Sequence, residues 1–288
     1  MRTIGRRPPA TATATAWESP VSTGPPPPSF AALDTGTPVA AAGPTVLLVH
    51  GWGGDRHEWA GVAGRLARRH RVLAPDLPGH GATPASPGRH APRRVAADLA
   101  AWLAAVGSGP TVAVGHSMGG QVVAALAVDH PALTLATVTV ATGFGGTATL
   151  GQLRSEQAAL EREGAAWAAR FADRAAGPAT PPEVTERHRR LLAAADPAVL
   201  AEYREAMYLA PDAFGRRPAA EVLLRQRRCP ALALHTSAEA AAWEAALPGH
   251  PLSTQVVWPG VGHHPHEERP AEVAALVSDW CRRVAEVG

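Results

Sequence analysis

The chain has no lysine and no asparagine, and Ile4 is its only isoleucine. All 27 basic residues are therefore arginine, and with the abundant Ala, Gly and Pro this matches the codon bias of a GC-rich genome. The arginine content is thus poor evidence for phosphate binding. The formal net charge is only +2, too small to imply a nucleic-acid or acidic partner. The two cysteines, Cys229 and Cys281, lie in or beside apolar runs without metal-ligand spacing, which reads as two buried thiols. No apolar stretch reaches the roughly 20 residues of a membrane span, so no membrane partner is expected. Arg6 and Arg7 would suit a twin-arginine signal, but Thr-Ala alternation and prolines follow where an apolar segment belongs. The expected location is the cytoplasm.

What is present is 288 residues, 46% of them hydrophobic, enough for one large α/β domain with an insertion. Residues 1–43 are rich in Pro, Thr and Ala, with four prolines in a row at Pro25 to Pro28. They are expected to form a partly disordered arm, with irregular edge strands near Phe30–Leu33 and Val39. From residue 44 to 288 short apolar runs alternate with helical patterns. The runs are Thr45–Val49, Val72–Ala74, Thr111–Val114, Leu135–Val140, Ala231–His235 and Gln255–Trp258. Helical patterns cover about 57–69, 91–106, 118–129, 240–247 and 269–286. Continuous apolar strands between helices predict a parallel sheet covered on both faces, with functional loops at the carboxyl ends of the strands. Between Val140 and Ala231 helical patterns dominate, near 150–173, 183–195 and 197–208. This predicts a helical lid inserted at about 144–222.

The segment Gly115-His116-Ser117-Met118-Gly119 joins a strand to a helix and has the G-x-S-x-G pattern of a nucleophile elbow. Such a turn needs small flanking residues and exposes the Ser117 hydroxyl at a helix start, where the dipole favours negative charge. A serine hydroxyl needs a base within hydrogen-bond reach. Of 13 histidines, His263 follows the last strand and precedes the last helix, on the same sheet edge as Ser117. It is the candidate base, with His264 and His266 as rim residues. A metal reading of His263, His264 and His266 lacks a carboxylate or thiol cluster to complete it. The candidate acid is Glu239, the only acid in the loop after Ala231–His235, giving the chain order Ser, Glu, His. Oxyanion donors are expected at the N–H groups of Met118 and of Trp52, in the loop His50-Gly51-Trp52-Gly53-Gly54.

Four ordered motifs over residues 44–286 together resemble the α/β-hydrolase superfamily, in its lidded branch of esterases, lipases, lactonases, thioesterases, C–C bond hydrolases and cofactor-free haloperoxidases. His50 to Gly54 is similar to the family's oxyanion loop, and Asp76-Leu77-Pro78-Gly79-His80-Gly81 to its D-x-x-G-x-G turn, in which Asp76 is structural. Gly115 to Gly119 is the elbow. His263 to Pro270 is similar to the histidine loop and the start of the last helix. The family usually shows Asp where Glu239 stands, and its other acid position is occupied by Thr142 and Gly143. A weakened triad or a Ser-His dyad therefore stays open.

The resulting expectation is an α/β-hydrolase fold acting on an ester, thioester or lactone of a mainly apolar small molecule, without cofactor or metal. Trp167, Phe171, Met207, Tyr208 and Phe214 in the lid either line that ligand's pocket or pack the lid itself. Two other uses of the pocket stay open: a non-hydrolytic tailoring reaction, by cyclisation or elimination, and simple ligand binding.

Overall fold

The computed structural model describes residues 28–38 and 43–287. Most of the N-terminal arm, including Arg6, Arg7 and Val39, lies outside these residues. Among them, seven strands form one sheet in the order β1-β3-β2-β4-β5-β6-β7. The strands are β1 (Ala32–Asp34), β2 (Thr45–Val49), β3 (Val72–Pro75), β4 (Thr111–His116), β5 (Thr134–Val140), β6 (Ala231–His235) and β7 (Thr254–Val257). All neighbours pair in parallel except β1, the edge strand, which lies antiparallel to β3. The expected strand near Phe30–Leu33 is thus a short edge strand.

Period-two alternation sends each strand's side chains to two cores. Leu47, Val49, Leu73 and Ala113 face α2 (Pro92–Ala105) and α3 (Met118–Asp129). Val46, Leu48, Val112, Val114, Val138 and Leu234 face the other way, toward α1 (Ala60–Leu66) and the C-terminal helix Pro270–Ala285. Burial on both faces explains why the strands read as continuous apolar runs.

Five helices lie between β5 and β6: α4 (Leu150–Glu163), α5 (Ala165–Ala175), α6 (Pro182–Ala194), α7 (Pro197–Tyr208) and α8 (Arg217–Leu224). The single helical pattern expected over 150–173 is two helices, because Gly164 takes a φ of 56° and turns the chain between them. The last inserted helix, α8, packs Ala220, Leu223 and Leu224 into the sheet-facing core rather than over the strand ends. Beyond β6 come α9 (Ala238–Ala245), α10 (Pro265–Glu268) and α11 (Pro270–Ala285). Among the described residues no helix is long and apolar enough to cross a membrane. Cys229 and Cys281 are unpaired, one half-buried and one buried.

The tightest packing is where α3 meets the strand ends. A Cβ on Gly119 would lie 2.3 Å from the carbonyl oxygen of Val49, and one on Gly115 would lie 2.2 Å from that of Gly119. Both obstacles are backbone, so they cannot swing away. Gly119→Ala should therefore destabilise the fold by at least about 2 kcal/mol, read as a lower urea midpoint; an unchanged midpoint would refute this packing constraint.

Candidate active site

One residue, Ser117, reverses the chain between β4 and α3, at φ 49° and ψ −112°. Side-chain-bearing residues seldom adopt a positive φ. The turn is held by the Ser117 N–H, which donates to the Val140 carbonyl at 2.9 Å, and by the Thr142 hydroxyl, which donates to the Ser117 carbonyl at 3.2 Å. His263 sits in the loop between β7 and α10. Its Nε2 lies 2.9 Å from Ser117 Oγ. Its own N–H donates to the Ala175 carbonyl at the end of α5 (2.8 Å), and its carbonyl accepts from His116 Nε2 (2.8 Å). The structure thus brings together the serine and histidine expected from the sequence.

The loop after β2 is braced by histidines. His50 donates from Nδ1 to the Gly51 carbonyl (2.8 Å) and accepts the Leu77 N–H at Nε2 (2.8 Å). His80 Nε2 accepts the Gly53 N–H at 3.1 Å. The Gly51 N–H donates to Glu58 Oε1 (3.0 Å), and the Gly54 N–H to the Gly51 carbonyl (3.1 Å). Among the described residues the Trp52 N–H makes no hydrogen bond. The Met118 N–H opens α3 and has no carbonyl one turn back. These are the two amides expected as oxyanion donors. The Trp52 indole donates to the Leu200 carbonyl of α7 (3.0 Å) and meets Phe171 edge-on at 5.5 Å.

A cavity of about 240 Å³ opens beside Ser117 and Trp52. Trp167, Phe171, Met207 and Tyr208 line it, together with Glu156, Arg174 and Arg204. Phe214, expected with them, lies instead in the core under α3 and α8. Arg204 is tied up by Glu156 (2.5 Å) and by the Leu153 carbonyl (2.9 Å). Asp76 is buried and structural: it accepts the N–H groups of Arg56 (2.7 Å) and Ala82 (2.8 Å) and pairs with the Arg56 guanidinium.

Glu239 does not reach this site. The Ser237 side chain caps α9, accepting from the Ala240 N–H. The helix therefore starts at once and carries Glu239 outward to Arg217, which it grips with both oxygens. That guanidinium holds the exposed carboxyl below its usual range, against a small burial effect. The placement of Glu239 beside His263 is thus corrected by the early start of α9. Among the described residues no carboxylate is hydrogen-bonded to the His263 ring.

The expected rim positions of His264 and His266 are also corrected, since both are buried. His264 stacks on His188 with ring centroids 3.6 Å apart, and His266 packs on Trp59 at 4.2 Å. Beneath them lies a carboxylate that the sequence did not single out. Glu58 has no exposed side-chain surface, and its Oε1 is 3.2 Å from His116 Nδ1 and 3.3 Å from His266 Nε2. Burial opposes its ionisation, but the charges and hydrogen bonds of His116 and His266 outweigh that and hold it well below the usual carboxylate range. Glu58, His116 and His266 present donor atoms within 4.8 Å of one another, as do Glu58, His188 and Glu267. In the first set His116 Nδ1 and the Gly51 N–H converge on Glu58 Oε1, with His266 Nε2 3.3 Å from it, while Glu58 Oε2 has no hydrogen-bond partner among the described residues.

Known proteins share this architecture. The Alpha/beta hydrolase family matches residues 46–276. A thermophilic esterase from Thermogutta terrifontis is 29% identical, with a TM-score of 0.75 over 88% of this chain and 93% of its own. Among curated relatives, a pimeloyl-[acyl-carrier protein] methyl ester esterase of Chromobacterium violaceum is 44% identical over 90 residues, 31% of this chain and 33% of its own. A dihydrolipoyllysine-residue acetyltransferase component of an acetoin cleaving system, from Cupriavidus necator, is 39% identical over 108 residues, 37% of this chain and 29% of its own. The chain thus spans about a third of the length of these curated relatives.

Burial, and then the charges of His116, His188 and His266, push His263 down to about 3, with Glu58 opposing. Burial and neighbouring histidines likewise push His80 down to about 3 and His264 well below 6.5. These rings are neutral in the folded protein, whereas the unfolded chain binds protons at them below about pH 6.5. Folding stability should therefore fall as pH drops from 6.5 toward 4.5, by up to about 1.4 kcal/mol per pH unit for each of the buried His80 and His264. Urea unfolding across that range measures the slope; a flat profile would mean that these rings are already charged.

Proposed function

As this chain belongs to the alpha/beta hydrolase family, we propose that it is a serine hydrolase that cleaves an ester, thioester or lactone through an acyl-enzyme on Ser117. The observation that carries this reading is the 2.9 Å contact between Ser117 Oγ and His263 Nε2, at a positive-φ turn beside a cavity. In this mechanism Ser117 Oγ attacks the carbonyl carbon while its proton passes to His263 Nε2. The oxyanion then accepts hydrogen bonds from the Met118 and Trp52 N–H groups, each worth about 10²–10³ in rate. Collapse expels the alcohol or thiol, which takes the proton from His263. Water then repeats the sequence on the acyl-enzyme, and His263 activates it. A neutral His263 is the form that accepts a proton. These steps use only the chain's own groups and water.

The substrate in this reading is a small, mainly apolar molecule, because Trp52, Leu153, Trp167, Phe171, Met207 and Tyr208 line the cavity beside Ser117. The Thermogutta terrifontis esterase and the pimeloyl-[acyl-carrier protein] methyl ester esterase support an ester bond as the target. One observation favours a second reading, a non-hydrolytic tailoring enzyme or a binding protein: no carboxylate is hydrogen-bonded to the His263 ring among the described residues. An Asp or Glu there would stabilise the imidazolium.

A fluorophosphonate probe separates the two readings. The hydrolase should be labelled on Ser117, and Ser117→Ala should lower kcat on a p-nitrophenyl ester by about 10⁴ or more; absence of labelling, or a loss below tenfold, would exclude the acyl-enzyme. Glu239→Gln should leave kcat within about threefold of wild type, as expected for an exposed ion pair, and a loss of tenfold or more would restore it as the acid of the site.

A further inference from the structure

Beneath Ser117 and His263 lies a buried charge arrangement that the acyl-transfer steps do not themselves use. Both ring nitrogens of His116 face acceptors. Nε2 lies 2.8 Å from the His263 carbonyl oxygen, which can only accept. Nδ1 lies 3.2 Å from Glu58 Oε1, a carboxylate oxygen already receiving the Gly51 N–H at 3.0 Å. A neutral imidazole has one N–H and can satisfy only one of these contacts. Its second nitrogen would then turn a lone pair toward a buried oxygen, at the cost of an unmade bond and of repulsion. A second proton on the ring removes both penalties.

We propose that Glu58 is a positioning carboxylate of this active site: with His116 as a doubly protonated imidazolium, it fixes the backbone of His263 on one side and the Gly51 amide of the oxyanion loop on the other. Glu58 touches neither the cavity nor Ser117, so it acts through these two loops. The pair spans the two halves of the reaction, since one carboxylate oxygen sets both the base and the root of the loop that carries the Trp52 N–H. It also balances charge. The groups facing the His116 ring are Glu58, from the turn before α1, and His263, His264 and His266, at centroid distances of 5.0, 5.0 and 4.4 Å; His188 and Glu267 lie one layer out. His263 must become cationic during turnover, which an unbalanced positive His116 would oppose. Glu58 makes that neighbour a neutral pair. The catalytic part of the inference rests on the serine-hydrolase reading; the state of the pair does not.

The test has an arm that needs no activity. In ¹⁵N-histidine NMR spectra of the wild-type protein at pH 7.5, one ring, assigned to His116 by its loss in His116→Gln, should carry protons on both nitrogens. In Glu58→Gln it should carry one. In steady-state kinetics on a p-nitrophenyl ester, well below the melting temperature of the variant, Glu58→Gln should lower kcat at least about tenfold with KM within about threefold. The acid limb of its pH–kcat profile should also move, which a merely structural role would not do. A singly protonated His116 in the wild type overturns the proposal, as does one equivalent of metal by elemental analysis, or a kcat within twofold of wild type in Glu58→Gln. Should Glu58→Gln fail to fold, the wild-type spectrum alone decides. If the fluorophosphonate leaves Ser117 unlabelled, the hydrolase reading fails and the spectrum still tests the ion pair.

Discussion

The N-terminal turn of α3 is pressed so closely against the end of β2 that no side chain fits between them: a Cβ on Gly119 would collide with the backbone carbonyls of both Val49 and His50. That closeness forces the chain to reverse within one residue, so Ser117 takes a positive φ and its hydroxyl points out of the sheet edge. It also sets the start of the loop after β2 beside Ser117, so that a Cβ on Gly51 would lie 3.5 Å from that of the serine. The strain at Ser117 is offset by the sheet hydrogen bonds and buried apolar contacts of β4 and β5. The geometry of the site is in this sense a product of core packing.

Strand positions were readable because every central strand is buried on both faces, and this leaves a continuous apolar signature. Ser117 and His263 were readable because each sits in a loop at a strand's carboxyl end, flanked by glycines that have a backbone reason to be there. Glu239 shows the limit of that logic. Its rank in the chain suits an acid, but a capping serine two residues earlier decides whether the residue joins the loop or the helix, and rank says nothing about that. Glu58 shows the converse. It stands in an Arg-His-Glu-Trp turn that reads as an ordinary charged helix start, and its burial arises from contacts with residues 116 and 266, far along the chain. The only local hint is the pair Gly51 and Gly54, and a Cβ on Gly54 would lie 2.3 Å from Glu58 Oε2. The break at Gly164 and the core position of Phe214 were hidden for the same reason: both depend on how the inserted helices stack, which periodicity does not encode.

The histidine content also finds a physical account. His50 and His80 each act as donor and acceptor at once, bonding a carbonyl through one nitrogen and an amide through the other. A neutral imidazole is the side chain that can do this within a buried turn without bringing a charge. His116 faces acceptors on both sides, one of them the buried carboxylate of Glu58. The number of rings around Ser117 thus reflects the number of loop amides and carbonyls that converge there.

The inserted helices are not an independent cover. The carbonyl of Ala175, the last residue of α5, receives the N–H of His263, and the carbonyl of Leu200, in α7, receives the Trp52 indole. Both loops that flank Ser117 are therefore stitched to the layer above them. Raising that layer as a rigid hatch would tear the reactive geometry apart along with the roof. Arg174 and Phe171 stand together at the wall of the cavity beneath that layer, the guanidinium carbon 5.9 Å from the ring centre.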